Sequence, residues 1–495
     1  LEFNTIETAS FQEIIDLVGR ENFLSPGEEL DHLLRNTSHF SAPLVLGRVR
    51  PSNQEELQAI VTWAAKEKVR LYTYSRGLNW GLGSRLPLVD HCLLVELSKM
   101  DKILEINEKF HYAIVEPGVS QEQLSAEIAK MGLSLMLNVT GSHPNASVLA
   151  NTLERGSGFL AHRFLDLRGM EVLLADGSLV KSGFWNLGPS ERELNHFSYG
   201  MGPDWRGLFS QSNLGIVTKA VINLYPKKEF QKMLWIKVNQ TELPGLIDKL
   251  SDLYQRNYIH SVTHIGNDKR MKIENKNQGQ LTVWTAMALI QGSKNFVEFL
   301  EKEIPQYLEN QYISMGFLTE REAQDQELGE VFGCHVGRTT DFFVRAMYQS
   351  EGAILEKENW QIDYGKYGML CCLPILPANA PDIQKATEIL DGIFDDFGIM
   401  PAATLNPMND LHLESVINIY FDRNQPQEVE KAHKANNEMI ARFYKAGYRF
   451  YRFDVKTMHD YIDQNNPHWQ LIDKLKNALD PNRILSPGRY EAKVD

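Results

Sequence analysis

The sequence has little cysteine: four residues in 495, namely Cys92, Cys334, Cys371 and Cys372. None falls at zinc-site spacing, and adjacent Cys371–Cys372 is a poor candidate for a routine disulfide. Neither a disulfide framework nor a metal centre is expected, and the simplest setting is a reducing, cytoplasmic one. Positive charge is also in deficit, with 51 Lys and Arg against 64 Asp and Glu, a formal net charge of −13. That balance argues against a general nucleic-acid binder, which needs a basic footprint. No run approaches the ~18 apolar residues of a membrane span. The stretch "SFQEIIDLVG" near the start is too short and too acidic for a signal-peptide core. There is no internal repeat and no low-complexity tract. What is present is 43 % hydrophobic and 23 % charged residues, an ordinary globular composition. At roughly 100–200 residues per domain, the length suggests two to four domains or subdomains.

The first 227 residues are rich in short β-like runs and glycine turns. "YAIVEPGVSQEQLSAEIAKMG" reads as strand, turn and helix, with Ser120 as N-cap and Leu124 and Ile128 at helical spacing. "GMEVLLADGSLVKSG" reads as a hairpin turning at Asp-Gly. After Pro226 the character changes, and strands alternate with longer amphipathic helices such as "LPGLIDKLSDLYQRN" and "PQEVEKAHKANNEMIARFYKAG". The expected organisation is residues 1–227, a second α+β domain over 228–450, and a return to the first over 451–495.

The stretch "SRGLNWGLGS", residues 75–84, carries the first chemical signal. It lies between the β-like runs "VRLYTY" and "CLLVEL". Gly77, Gly81 and Gly83 permit positive φ and close backbone approach. Successive N–H groups in such a turn form a concave nest for anionic oxygens. No helix follows, so it is a poor dinucleotide Rossmann loop, and without Gly-Lys-Ser/Thr it is not a Walker loop. Taken alone, it is equally well a surface turn.

Its companions change the weighting. "VEPGVSQEQL", "TGSHPNASVLANTLERGSGF" at 140–159, "GLFSQSNLGIVTKA" at 207–220 and "DPNRILSPGRY" near the end follow in order. Together they resemble the vanillyl-alcohol oxidase and p-cresol methylhydroxylase family of FAD-linked oxidoreductases, over almost the whole chain. The resemblance implies an α+β fold: a two-subdomain FAD-binding domain with an inserted α+β cap that covers the flavin and holds the substrate. It implies that Ser75, Arg76, Gly77, Leu78, Asn79, Trp80 and Gly81 cradle the FAD pyrophosphate. Pro117, Gly118, Gly141 and Ser142 belong to the same cofactor site. Asn151, Glu154 and Gly156 would run alongside the flavin, and Ile216 and Val217 along the adenine side. Arg489 stands where the family has a basic residue near the flavin, where a cation would stabilise the anionic reduced ring.

In "RFYRFDVKTMHDYI", Tyr451-Arg452 matches a pair that in phenol-oxidising members binds the phenolate oxygen. Arg stays cationic and Tyr donates a hydrogen bond, so both favour an anion. Tyr448-Arg449 is a rival register, and packing plus a surface charge is the plainer reading of either pair. The family's phenolate site also has a Tyr between two loop glycines, where this chain has Leu82, which cannot donate. An acidic residue near the flavin is replaced in register by His162, a competent proton acceptor near neutral pH. Asp166 takes that role if the register slips, and a structural histidine is the alternative reading of His162. "NPMNDLHLESVINIYFDR" resembles a covalent attachment region, with Glu414 or Ser415 where a linking His would stand. His412 is the fallback, and non-covalent FAD is the expectation. His335 beside Cys334 lacks further ligands for a metal, and His91-Cys92 reads as core. His143 either approaches the flavin or caps a turn.

The resulting expectation is an FAD-dependent oxidase or dehydrogenase moving a hydride from a small aromatic or cyclic substrate, an alcohol or alkylphenol, to flavin N5. Oxygen or a protein would accept the electrons, and the resemblance implies a homodimer. Two alternatives remain open: amine or C–N oxidation in a biosynthetic step, which Leu82 favours, and a flavin-binding protein without turnover.

Overall fold

Adjacent parallel strands need a crossover between them, and in this chain the glycine-rich stretch supplies one. In the computed structural model, which describes residues 11–188, 194–269, 283–309, 311–349 and 361–491, the first sheet holds β1 (Phe23–Leu24), β2 (Val45–Val49), β3 (Arg70–Tyr74) and β4 (Cys92–Glu96) in the order β1-β2-β4-β3. β3 and β4 pair in parallel, and residues 75–91 cross between them without a helix. The segment after the last helix returns here: the N–H of Leu71 donates to Ile484 O, and that of Ser486 to Leu71 O.

The second sheet holds β5 (Ile103–Asn107), β6 (Tyr112–Val115), β8 (Leu167–Leu173), β9 (Leu179–Lys181) and β10 (Ile216–Asn223). β7 (Leu135–Met136) pairs separately with β11 (Tyr225–Pro226). The Asp-Gly hairpin forms as its sequence suggests, with Gly177 at φ +84° between β8 and β9. Ser120 caps the helix Gln121–Lys130 through a reciprocal capping box with Gln123.

A third sheet of nine strands is drawn entirely from residues 230–450. Its strands are β12 (Phe230–Asn239), β13 (His264–Asn267), β14 (Val283–Gly292), β15 (Ser314–Leu318), β16 (Tyr367–Cys372), β17 (Pro374–Pro377), β18 (Ala402–Pro407), β19 (His412–Asp422) and β20 (Arg449–Phe450). The order is β15-β12-β14-β13-β18-β19-β17-β20, with β16 also on β19. One face is covered by amphipathic helices, including Leu243–Gln255, Ala380–Phe397 and Pro426–Lys445. Strand alternation sorts β19 cleanly. Leu413, Ile417, Ile419 and Phe421 join the helix-covered core, while Val416, Asn418 and Tyr420 face a cavity on the other side.

Candidate active site

A cavity of about 830 Å³ lies between the nine-stranded sheet and the first two sheets. The glycine-rich crossover forms part of its floor, with Gly77, Gly81 and Gly83 at φ +69°, +76° and +103°. The N–H groups of Gly81 and Gly83 are tied down by Thr37 Oγ1 (2.9 Å) and Ser38 Oγ (3.1 Å), and those of Leu82 and Ser84 by Asn79 O. The N–H groups of residues 76–79 take no acceptor among the described residues, and all four residues line the cavity. That is the nest of unspent donors an anion needs. Ser75 Oγ donates to Pro117 O, and Arg76 Nε to Gly118 O at 2.7 Å, so this turn is fixed to the next one.

Ser75, Arg76, Gly77, Leu78, Asn79, Trp80, Pro117, Gly141, Ser142, Asn151, Glu154, Gly156, Ile216, Val217 and Arg489 all line the cavity. Gly81 and Gly118 do not, and each has a packing reason to be glycine. A Cβ on Gly81 would lie 2.2 Å from Cys371 Sγ, and one on Gly118 would lie 2.6 Å from Ser98 O.

At the floor's C-terminal side, Arg489 Nη2 donates to Glu154 Oε1 (2.5 Å) and its Nη1 to Tyr72 OH (3.0 Å). Tyr490 OH donates to Glu154 Oε2 at 3.0 Å. Burial pushes the Glu154 carboxyl up, but Arg489 and Arg452 together outweigh it and hold the group below the usual carboxylate range. Arg489 is held well above its ordinary value, because Glu154 and Tyr72 outweigh the cost of burying its charge.

The sheet supplies the roof. Cys371 stands opposite Asn418, and Thr404 stands opposite both Val416 and Gly266. Asn418 Oδ1 accepts from Cys371 Sγ at 3.2 Å. Thr404 and Asn406 line the cavity and carry buried oxygens without a hydrogen-bond partner. Tyr451 and Arg452 enter just after β20. Gln211 Nε2 donates to Tyr451 O (2.6 Å), and Arg452 Nη2 donates to Asn79 Oδ1, which ties the roof to the floor. Arg452 Nε is buried without an acceptor. Leu82 is 3 % exposed and packs with Trp80, Met369, Tyr420 and Tyr451.

The remaining sequence candidates lie elsewhere. His162 does not line the cavity: its Nε2 is 3.0 Å from Glu414 Oε1, and its Nδ1 accepts from the N–H of Phe164 at 3.2 Å. With one ring nitrogen accepting and the other facing a carboxylate, no lone pair remains for a substrate proton. Asp166 is fully buried among Tyr225 OH (2.7 Å), Asn138 Nδ2 (2.8 Å) and Arg163, and burial raises its carboxyl to about 6. Ser415 falls on the helix-covered alternation of β19. His412 is half-buried near His162 and Glu414, off the cavity, and burial lowers its imidazole. Tyr448 OH donates to Asp382 Oδ1 (2.8 Å), and Arg449 lies 4.2 Å over the Tyr444 ring, so the rival register points away.

His143 is buried, with Nδ1 accepting from Asn145 N–H, and burial lowers it to about 4. His91 is exposed at φ +61°, while Cys92 is buried in β4 as read. No cluster of three metal-ligating side chains occurs among the described residues. His264, Thr404, Asn406 and Asn418 were not legible as site residues. His264 and Thr404 come from strands without a motif, Asn406 and Asn418 lie in the stretch read for flavin attachment, and sheet register brings the four together.

The comparisons with known proteins agree with this geometry. A family model described as an FAD binding domain matches residues 45–183. The flavoprotein subunit of 4-cresol dehydrogenase (hydroxylating) from Pseudomonas putida is 26 % identical, over 99 % of this chain and 95 % of its own length. The 1'-carboxy-chondrochloren decarboxylase of Chondromyces crocatus is 27 % identical, over 90 % of each. Substrate-bound p-cresol methylhydroxylase superimposes with a TM-score of 0.88 at 24 % identity, covering 99 % of this chain and 98 % of that one. The 4-ethylphenol oxidase of Gulosibacter chungangensis, in its isoeugenol complex, gives 0.87 at 22 % with the same coverage.

Over its whole length the chain is similar to members of the vanillyl-alcohol oxidase and p-cresol methylhydroxylase family. It is an FAD-dependent oxidoreductase with that family's α+β, two-subdomain FAD-binding architecture. Among the described residues, no helix is long and apolar enough to cross a membrane.

Proposed function

We propose that this flavoenzyme removes a hydride from a small aromatic or cyclic substrate whose anionic oxygen is held by Tyr451 and Arg452. The observation that carries this reading is Arg452: it lines the cavity beside Tyr451, with a buried Nε that lacks an acceptor. FAD supplies the hydride acceptor when bound. The N–H nest of residues 76–79 would hold its pyrophosphate, Ile216 and Val217 its adenine side, and Asn151, Glu154, Gly156 and Arg489 the flavin. Arg452 lowers the cost of ionising the substrate, and Tyr451 donates to the resulting anion. The roof and the packed Leu82 wall exclude water from that pair. Electrons then leave to oxygen or to a protein acceptor.

Leu82 favours a second reading. It removes the phenolate donor that the family carries, whereas a carboxylate can be received by the Arg452 fork. A relative is named as a decarboxylase. Anaerobic mixing separates the two. Bleaching of the flavin by 4-alkylphenols supports the first reading. Bleaching by aryl hydroxy acids with release of carbon dioxide, and none by phenols, supports the second. Bleaching by neither class contradicts both.

FAD is held without a covalent link in this reading, since His412, the fallback attachment residue, lies off the cavity. Acid precipitation of the purified protein should leave the yellow chromophore in the supernatant. Flavin retained in the pellet would contradict this.

A further inference from the structure

The cavity is longer than the head group that Tyr451 and Arg452 would hold. Its roof crosses six neighbouring strands, β16, β19, β18, β13, β14 and β12. At about 4.8 Å per strand, the path from Cys371 to Trp235 covers about 24 Å, several times the width of one aromatic ring.

The two ends have separate walls. Around Tyr451 the apolar side chains belong to the cluster of Trp80, Leu82, Met369 and Tyr420. At the far end they belong to another cluster, from which Trp235, Met287, Leu328, Val331 and Phe342 line the cavity. None of these five lies in a segment expected to hold FAD. Between the ends stand the polar side chains of Thr404, Asn406 and His264, the last packed at a tilt of 31° on Phe159 with ring centroids 4.0 Å apart. Beyond the apolar far end, Lys237, Asp268 and Gln326 line the cavity and are exposed. The order along the roof is therefore an anion-holding end, a polar middle, an apolar chamber and a polar rim.

We propose that the substrate is elongated, and that a hydrocarbon tail lies in the chamber under β14 and β12 while the head is held at Arg452. The placement of the head rests on the function proposed above. The five side chains of the chamber are apolar or aromatic, with Thr285 and the Trp235 indole N–H the polar groups beside them, so a tail buries apolar surface there that a compact phenol or short acid would leave uncovered. Each methylene so buried should raise affinity about four-fold. Lys237 and Gln326 at the rim leave the tail's far terminus in contact with water or with a polar end group.

The test is a ladder of para-alkylphenols from methyl to decyl, titrated into the FAD-loaded enzyme and read by perturbation of the flavin absorbance. Affinity should climb with each added carbon and then level off. Met287→Trp and Leu328→Trp, both at half-buried positions, should weaken the octyl member at least ten-fold more than the methyl member. Flat affinity along the ladder, no spectral response from any member, or equal weakening of long and short members would overturn the chamber. Binding that tightens with length while no member bleaches the flavin would retain the chamber and remove the phenol-oxidation reading. Bleaching with flat affinity would do the reverse.

Discussion

Arg452→Ala should slow anaerobic flavin reduction by substrate about 100-fold or more while leaving FAD bound. A charge-assisted hydrogen bond to a buried anion contributes roughly 3 kcal/mol, and about 1.4 kcal/mol corresponds to ten-fold in rate. Arg452 is suited to this because only part of its fork is spent. Nη2 donates to Asn79 Oδ1, while Nε stays without an acceptor. Arg452→Lys keeps the charge but loses the planar fork, and should fall between wild type and the alanine variant. The nest at residues 76–79 is backbone, so the cofactor content should not change. Stopped-flow absorbance reads the rate, and the ratio of flavin to protein absorbance reads the content. An unchanged rate in Arg452→Ala would remove this residue from the substrate site.

The second large effect is expected at Asp363, which the sequence did not single out. Its carboxylate is fully buried and accepts from Ser84 Oγ (2.6 Å), Arg85 Nη2 (3.0 Å), Trp80 Nε1 (3.3 Å) and the N–H of Thr37 (2.9 Å). Arg423, in turn, donates to the carbonyls of Asn36, Ile362 and Asp363. Asp363 thus latches three separate stretches, the glycine-rich crossover, residues 36–38 and residues 361–365, around one charge. Burial works against the Arg85 charge, and Asp363 is the main group that offsets it. Asp363→Ala leaves Arg85 buried without its counter-ion, which should cost about 3–5 kcal/mol. A lowered midpoint of denaturant unfolding checks this. Asp363→Asn keeps one acceptor oxygen, enough for Ser84 and the Thr37 N–H, while its NH2 meets the Arg85 and Trp80 donors, so it should lose only a little less. A change under about 1 kcal/mol in the alanine variant, within the range of ordinary surface substitutions or little more, would contradict the latch.

What the sequence disclosed depended on how local each signal was. The crossover glycines, the Ser120 cap and the Asp176-Gly177 turn are set by a few consecutive residues, and each forms as read. Tyr451, Arg452 and Leu82 were placed by ordered motifs, and the structure brings all three to one end of the cavity. His162 shows where that approach fails. The motif leaves the register open between His162 and Asp166, and the chain uses the imidazole to cap Arg163–Asp166 and to meet Glu414. The roof residues were hidden for a different reason. Thr404, Asn406 and Asn418 face the cavity because β18 and β19 pair in a particular register, and a one-residue slip would turn each of them to the helix side. Asp363 was hidden because its partners lie about 280 and 326 positions away in sequence.

The most direct test of the central claim, an oxidation that depends on an anion held at Arg452, compares one ionisable substrate with its blocked form. Flavin reduction is measured anaerobically with a 4-alkylphenol and with its methyl ether, on wild type and on Arg452→Ala. The account predicts rapid reduction by the phenol, reduction slower by about 100-fold or more with the ether, and little difference between the two in the variant, following from the ~3 kcal/mol assigned to the charge-assisted contact. Equal reduction of wild-type enzyme by phenol and ether would contradict it.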